Sequence, residues 1–71
     1  MNLHKIDLNL FIVFDVIYRE RNLTKAAESL HITQPAVSNS LNRLRQAFND
    51  RLFIRQSGTM VPTPLAESIV E

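Results

Sequence analysis

Three observations predict a mainly α fold in which a small two-stranded hairpin follows three helices. Apolar residues recur at helical spacing in three separate stretches, residues 8–19, 23–30 and 34–48. A short run of strand formers, Leu52-Phe53-Ile54, is separated from Met60-Val61 by the turn signal Gln56-Ser57-Gly58-Thr59. Start signals for helices, a capping residue followed closely by proline, occur at Thr33-Gln34-Pro35 and again at Thr63-Pro64.

Taken in order, Asp7 is the expected N-cap of the first helix, its carboxylate accepting from the unpaired amides of the first turn. Leu10, Val13, Phe14 and Ile17 share one stripe, with Phe11 and Tyr18 at its edge, so this face should turn to the core. Leu8, Ile12 and Val16 form an apolar row on the other side, which costs solubility unless something covers it. Residues 19–22 are polar and read as a turn. The second helix has the inner face Leu23, Ala26, Ala27 and Leu30, and its two alanines let a neighbouring helix approach closely. His31 and Ile32 break the pattern. In the third helix Thr33 caps the free amides and Pro35 gives up an N–H that has no intrahelical partner. Its core stripe of Val37, Leu41, Leu44 and Phe48 falls within about 60° of arc. The helix should fade near Asn49. The hairpin that follows is marginal alone and needs the helices beneath it. After Thr63-Pro64, Leu65, Ala66, Ile69 and Val70 continue at helical spacing to the end, so a fourth helix is interrupted in mid-pattern and the chain reads as the front piece of something longer. The expected organisation is one domain over residues 1–62 and the start of a linker helix over 63–71.

Composition narrows the function. At 71 residues with 45% hydrophobic content, the chain buries only about 60% of the surface its unfolded form exposes, enough for one modest core. Cysteine is absent, which removes disulfides, thiolate metal sites and cysteine nucleophiles and fits a reducing cytosol. Residues 1–18 carry Asp7 and Asp15 and no small-residue cleavage site, so no secretory signal is expected. No apolar run approaches the roughly 18 residues of a membrane span. The single glycine, Gly58, excludes phosphate-cradling glycine loops. His4 and His31 lack carboxylates at metal-binding spacing. Ser38 and His31 are the one suggestive nucleophile–base pair, without an orienting carboxylate, so an enzyme is not expected. The net charge is only +1, but its distribution is uneven. Residues 21–55 hold Arg21, Lys25, Arg43, Arg45, Arg51 and Arg55 against Glu28 and Asp50, a local +4, between flanks of −1 and −2. A concentrated basic middle is the electrostatic footprint of a nucleic-acid binder.

The order helix, short helix, tight turn, longer helix, two-stranded wing is that of a winged helix-turn-helix: three helices plus a wing and the start of a linker helix. Its core signal lies in residues 23–42. Ala27 should take the tight contact, Leu30 and Ile32 should fill the turn, and Val37 and Leu41 should hold the second helix down. The glycine usual at the turn is His31, a residue that tolerates the left-handed conformation better than most. Opposite the core stripe of the third helix, Pro35, Ser38, Asn39, Asn42 and Gln46 cluster, with Gln34 near the N-terminal tip. Asparagine and glutamine can pair bidentately with adenine, and serine can serve several bases. Gln34, Pro35, Ser38, Asn39 and Asn42 are therefore the expected base-reading set. Arg43 and Arg45 sit on the flanks, where phosphates would lie. Arg51 and Arg55 bracket the first wing strand and could grip phosphate or enter a narrow minor groove, with a surface ion pair to Asp50 as the alternative for Arg51. Thr24 and Lys25 at the start of the second helix, and Thr33 at the start of the third, could meet phosphates there. A winged-helix module that binds protein should instead show an acidic or apolar face, and this face is neither.

The stretch Asn22-Leu-Thr-Lys-Ala-Ala-Glu-Ser-Leu-His-Ile-Thr-Gln-Pro-Ala-Val-Ser38 resembles the signature of LysR-type transcriptional regulators. Arg51-Leu-Phe-Ile-Arg55 looks like the start of that family's wing. Val61-Pro-Thr-Pro64 and Asp7-Leu-Asn-Leu10 are similar to the branch of the nodulation-gene activators. The resemblance covers nearly the whole chain. It implies a DNA-binding winged helix in a cytoplasmic bacterial regulator, a long linker helix used for dimerisation, and a separate C-terminal domain that binds a small-molecule effector, with no cofactor in the present domain. It also implies that Gln34, Pro35 and Ser38 enter the major groove. The next position, often arginine or glutamine in the family, is Asn39 here, which bears on base preference. The partners implied are a second copy of the chain, or a higher oligomer, and double-stranded DNA carrying an interrupted inverted repeat. On that reading Leu8, Ile12 and Val16, with Leu65 and Ile69 of the linker helix, are the dimerisation row.

Overall fold

The computed structural model describes residues 8–70; Asp7, the expected first cap, and His4 lie outside the described residues. The elements run α1 (Leu8–Glu20), α2 (Leu23–Leu30), α3 (Gln34–Phe48), β1 (Phe53–Gln56), β2 (Thr59–Pro62) and α4 (Pro64–Val70). The fold is thus mainly helical with one antiparallel two-stranded sheet, the winged helix-turn-helix expected. None of the helices among the described residues is long and apolar enough to cross a membrane.

The core follows from the stripes. Leu10, Val13, Phe14 and Ile17 of α1, Leu23, Ala26 and Ala27 of α2, and Val37, Leu41 and Leu44 of α3 are all buried in one cluster. Two alanines at the α2 surface allow the three helices to close on a shared centre. Phe53 is wholly buried and meets Phe14 at 5.3 Å between ring centroids, so the wing is keyed into the helices by its first residue. Phe11 and Phe48 close the other end edge to face at 6.4 Å.

The joints between elements are set by left-handed residues, and all but one are not glycine. Arg21, His31, Asn49, Leu52 and Ser57 have φ between 51° and 64°. His31 takes the position where a glycine is usual, at φ 58° and ψ 39°, and the Ile32 N–H donates to the Ala27 carbonyl at 3.1 Å to close α2. Asn22, expected only as turn, is the N-cap of α2: its Oδ1 accepts from the Lys25 N–H at 2.9 Å. Thr33 caps α3 as expected, accepting from the Ala36 N–H.

Three details differ from the sequence-based reading. Ile32 does not fill the turn; it is 40% exposed, because the left-handed step at His31 points the next side chain outward while half-buried Leu30 packs on the core. The wing strands are longer than expected, reaching Gln56 and Thr59, with register Phe53↔Pro62, Ile54↔Val61, Arg55↔Met60 and Gln56↔Thr59. Only Ser57 and Gly58 remain as loop, both at positive φ, the geometry of a two-residue type I′ turn whose twist matches the strands. Third, Val16 and Ile69 are not fully on the surface but pack against the chain's own core.

The wing is tied down along its length. The Met60 N–H donates to the Arg21 carbonyl at 2.9 Å, joining the outer edge of β2 to the α1–α2 joint. Asp50 Oδ2 accepts from the Leu52 N–H at 2.8 Å and from the Thr63 hydroxyl at 2.7 Å, and Thr63 Oγ1 accepts in turn from the Ala66 N–H. Thr63 is therefore both the cap of α4 and part of a polar node beneath the wing. Ala66 is buried and the Tyr18 hydroxyl donates to Glu67 Oε1 at 3.2 Å, so α4 begins on the same core as the helices before it.

Candidate nucleic-acid interface

The site is built on the outer face of α3. Burial of Val37, Leu41 and Leu44 fixes the helix's rotation. Gln34, Pro35, Asn39, Asn42 and Gln46 are consequently exposed, with Ser38 half-buried at the edge. Between this face and the wing lies an open cleft of about 230 Å³. Ser38 and Asn42 line it from the helix, Arg51 and Arg55 from the wing, over an apolar floor of Leu23, Leu41 and Met60. The pairing of Arg55 with Met60 explains its placement: partners across a sheet point to the same face, and Met60 points at the core. On the far flank of α3, Asn39, Arg43 and Gln46 border a second depression.

The structure therefore gathers Ser38, Asn42, Arg51 and Arg55 into one cleft, with Arg43 on the opposite flank. It engages other expected residues within the fold. Arg45, expected beside Arg43 on the phosphate flank, folds toward the wing: Nε donates to the Arg51 carbonyl at 2.7 Å, one terminal nitrogen to the Phe53 carbonyl at 2.8 Å, and the other to Asn42 Oδ1 at 3.4 Å. Burial first, and the like charge of Arg51 second, lower its pKa below the ordinary arginine value, although a guanidinium stays charged throughout the working range. It acts as a strut that holds the wing at a fixed distance from α3. Arg21, counted in the basic middle, is likewise engaged within the fold, its Nε donating to the Tyr18 carbonyl and its guanidinium lying 4.8 Å from the Tyr18 ring centroid.

At the start of α2, Thr24 and Lys25 were expected to offer hydroxyl, amide and charge to a phosphate. The Lys25 amide goes to Asn22 and the Thr24 hydroxyl donates to Gln34 Oε1 at 3.1 Å, leaving the exposed Lys25 ammonium as the outward-facing group. Likewise the Thr33 hydroxyl oxygen is the acceptor for the α3 cap. Arg51, which could have paired with Asp50, does not; Asp50 is committed to Leu52 and Thr63. The Thr24–Gln34 link joins residues ten apart on two helices, so no spacing rule within one helix could have found it.

Two helices crossing through a left-handed turn, the second presenting amides and hydroxyls outward beside an arginine-bearing hairpin, define the chain as a winged helix-turn-helix domain. The model of the family described as "Bacterial regulatory helix-turn-helix protein, lysR family" matches residues 8–67, and the chain belongs to that family. The HTH-type transcriptional activator NagR of Ralstonia sp is 52% identical over 71 residues, which is all of this chain and 24% of that protein. Nodulation protein D of Rhizobium leguminosarum bv. trifolii is 46% identical over 69 residues, 97% of this chain and 22% of its own length. The crystal structure of the BenM_DBD/catB site 1 DNA complex matches with a TM-score of 0.85 at 28% identity, over 90% of this chain and 72% of that one. The chain thus spans about a quarter of the length of the curated relatives it matches. The matched family is described as regulatory and NagR as a transcriptional activator, in line with the regulator expected from the sequence.

Proposed function

We propose that this chain is the sequence-specific DNA-reading domain of a LysR-type transcriptional regulator. Helix α3 enters a major groove with Gln34, Pro35, Ser38, Asn39 and Asn42 toward the base edges. Arg51 and Arg55 reach the flanking backbone or minor groove, and Arg43 and Lys25 meet phosphates. The observation that carries this reading is the division of α3 into a buried apolar face and an exposed neutral hydrogen-bonding face with cations only at its margins. A generic solvated helix would carry mixed charges there; a face of amides and hydroxyls suits base edges. The match to a relative solved on DNA supports the same mode.

The functional unit is a two-fold homodimer that reads an interrupted inverted repeat in the bacterial cytoplasm, and the small-molecule effector binds a C-terminal domain beyond this chain. Leu8 at 79% and Ile12 at 53% exposure, with Leu65 and Val70 exposed on α4, support an apolar surface that a second copy covers. Ile12→Asp should then leave the helical spectrum intact and shift the sedimentation coefficient to that of a monomer. An unchanged dimer would remove Ile12 from the interface.

Selection of bound duplexes from a random pool at near-physiological salt tests the reading as a whole. Enrichment of an interrupted inverted repeat is expected; failure to retain any DNA even at low salt would overturn it. The division of labour has its own test. Arg55→Ala should weaken binding to every sequence and reduce the salt slope by about 1. Asn39→Ala should change the preferred base at one position, each mismatch costing about 1–3 kcal/mol. Uniform loss from both variants would show that α3 does not read bases.

A further inference from the structure

Gln34 stands at the first position of α3, where its long side chain has three rotatable bonds and two ways to present its amide. Free in solution, such a side chain offers a base either an acceptor or a donor. Here one choice is already made: the Thr24 hydroxyl, on the neighbouring helix, donates to Gln34 Oε1 at 3.1 Å. Both ends of the link are rigidly based. Thr24 sits in the first turn of α2, capped by Asn22, and Gln34 follows the Thr33 cap and precedes Pro35, whose φ is fixed. We propose that Thr24 is a specificity-positioning residue, holding Gln34 as a hydrogen-bond donor. The position then favours guanine O6 and N7 or thymine O4, which need only a donor, over adenine, whose bidentate pair with glutamine needs the amide oxygen turned away from Thr24 to its N6 amino group as well as the amide nitrogen on N7.

In water the link is exposed and weak; once an interface excludes solvent, it strengthens with the lower local dielectric. Thr24 thus acts through Gln34 and not as a contact to phosphate. The inference rests on the reading that α3 enters the major groove, and the test separates the two.

The random-duplex selection is run on the wild-type chain, Thr24→Val, which keeps the shape and removes the donor, and Thr24→Ser, which keeps the donor. Affinity for one non-cognate duplex is measured alongside. Thr24→Val should lose about tenfold of the preference against adenine at one position per half-site, with non-cognate affinity within about twofold of wild type, and Thr24→Ser should retain the preference. A selective wild type with an equally selective Thr24→Val overturns this inference alone. Equal weakening of cognate and non-cognate DNA by Thr24→Val would make Thr24 a phosphate contact and also overturn it. A wild type that enriches no sequence overturns both the inference and the reading beneath it.

Discussion

Phe53→Ala is expected to lower the thermal midpoint of the domain by about 15–30 °C, the largest effect of any single truncation. Phe53 is wholly buried at the first position of β1 and packs its ring on Phe14, so its removal empties a site walled by two elements that cannot both relax into it. Truncation of a buried phenylalanine costs about 3–5 kcal/mol. A domain of this length has only a few to about 10 kcal/mol in total, and each kilocalorie per mole moves the midpoint of so small a domain by about 4–8 °C. Because Met60 is hydrogen-bonded to Arg21 and Arg45 to the Phe53 carbonyl, the wing and helices should melt together. Thermal melts followed by far-ultraviolet circular dichroism would measure this. A loss below about 1 kcal/mol would mean that the wing is not integral to the core.

The second large effect is expected from Asp50→Ala. One carboxylate oxygen serves the Leu52 amide and the Thr63 hydroxyl. Leu52 is fully buried and held at φ 64°, a conformation leucine adopts only when its surroundings over-determine it. Removing the acceptor leaves that amide without its partner and frees the left-handed turn, a cost of about 2–3 kcal/mol in urea unfolding. Asp50→Asn retains an acceptor oxygen and should lose clearly less. Equal losses from the two variants would show that the negative charge, and not the hydrogen bonds, matters at this node.

The three helices, their faces and the caps at Thr33 and Thr63 were legible in the sequence because they depend on local periodicity and on local backbone satisfaction. The left-handed turn at His31 was legible for the same reason. What was hidden is what long side chains do after the elements have docked. Arg45 and Arg43 are two residues apart on α3 and look equivalent as charges. One faces solvent and the other reaches three oxygens within the fold, because only the structure brings the Arg51 and Phe53 carbonyls to it. Asp50 looked like an ion-pair partner for its neighbour Arg51 and is instead the acceptor for a threonine thirteen residues on. Val16 and Ile69 read as surface because nothing in the spacing of α1 tells how closely α4 folds back. The base-reading candidates share one helix face, which is why the spacing groups them, but the Thr24–Gln34 hydrogen bond crosses two helices and leaves no periodic trace.

The Asp50–Thr63 node also decides how force travels. The residue that caps α4 is pinned to the residue that ends the α3 joint, and Pro64 follows at once, so no slack tether lies between the reading helix and α4. With that node intact, a rotation applied to α4 is expected to be passed to α3. If two copies read one duplex as proposed, their spacing and tilt would be a mechanical property of the helices that carry them, adjustable from a distance with the reading face unchanged.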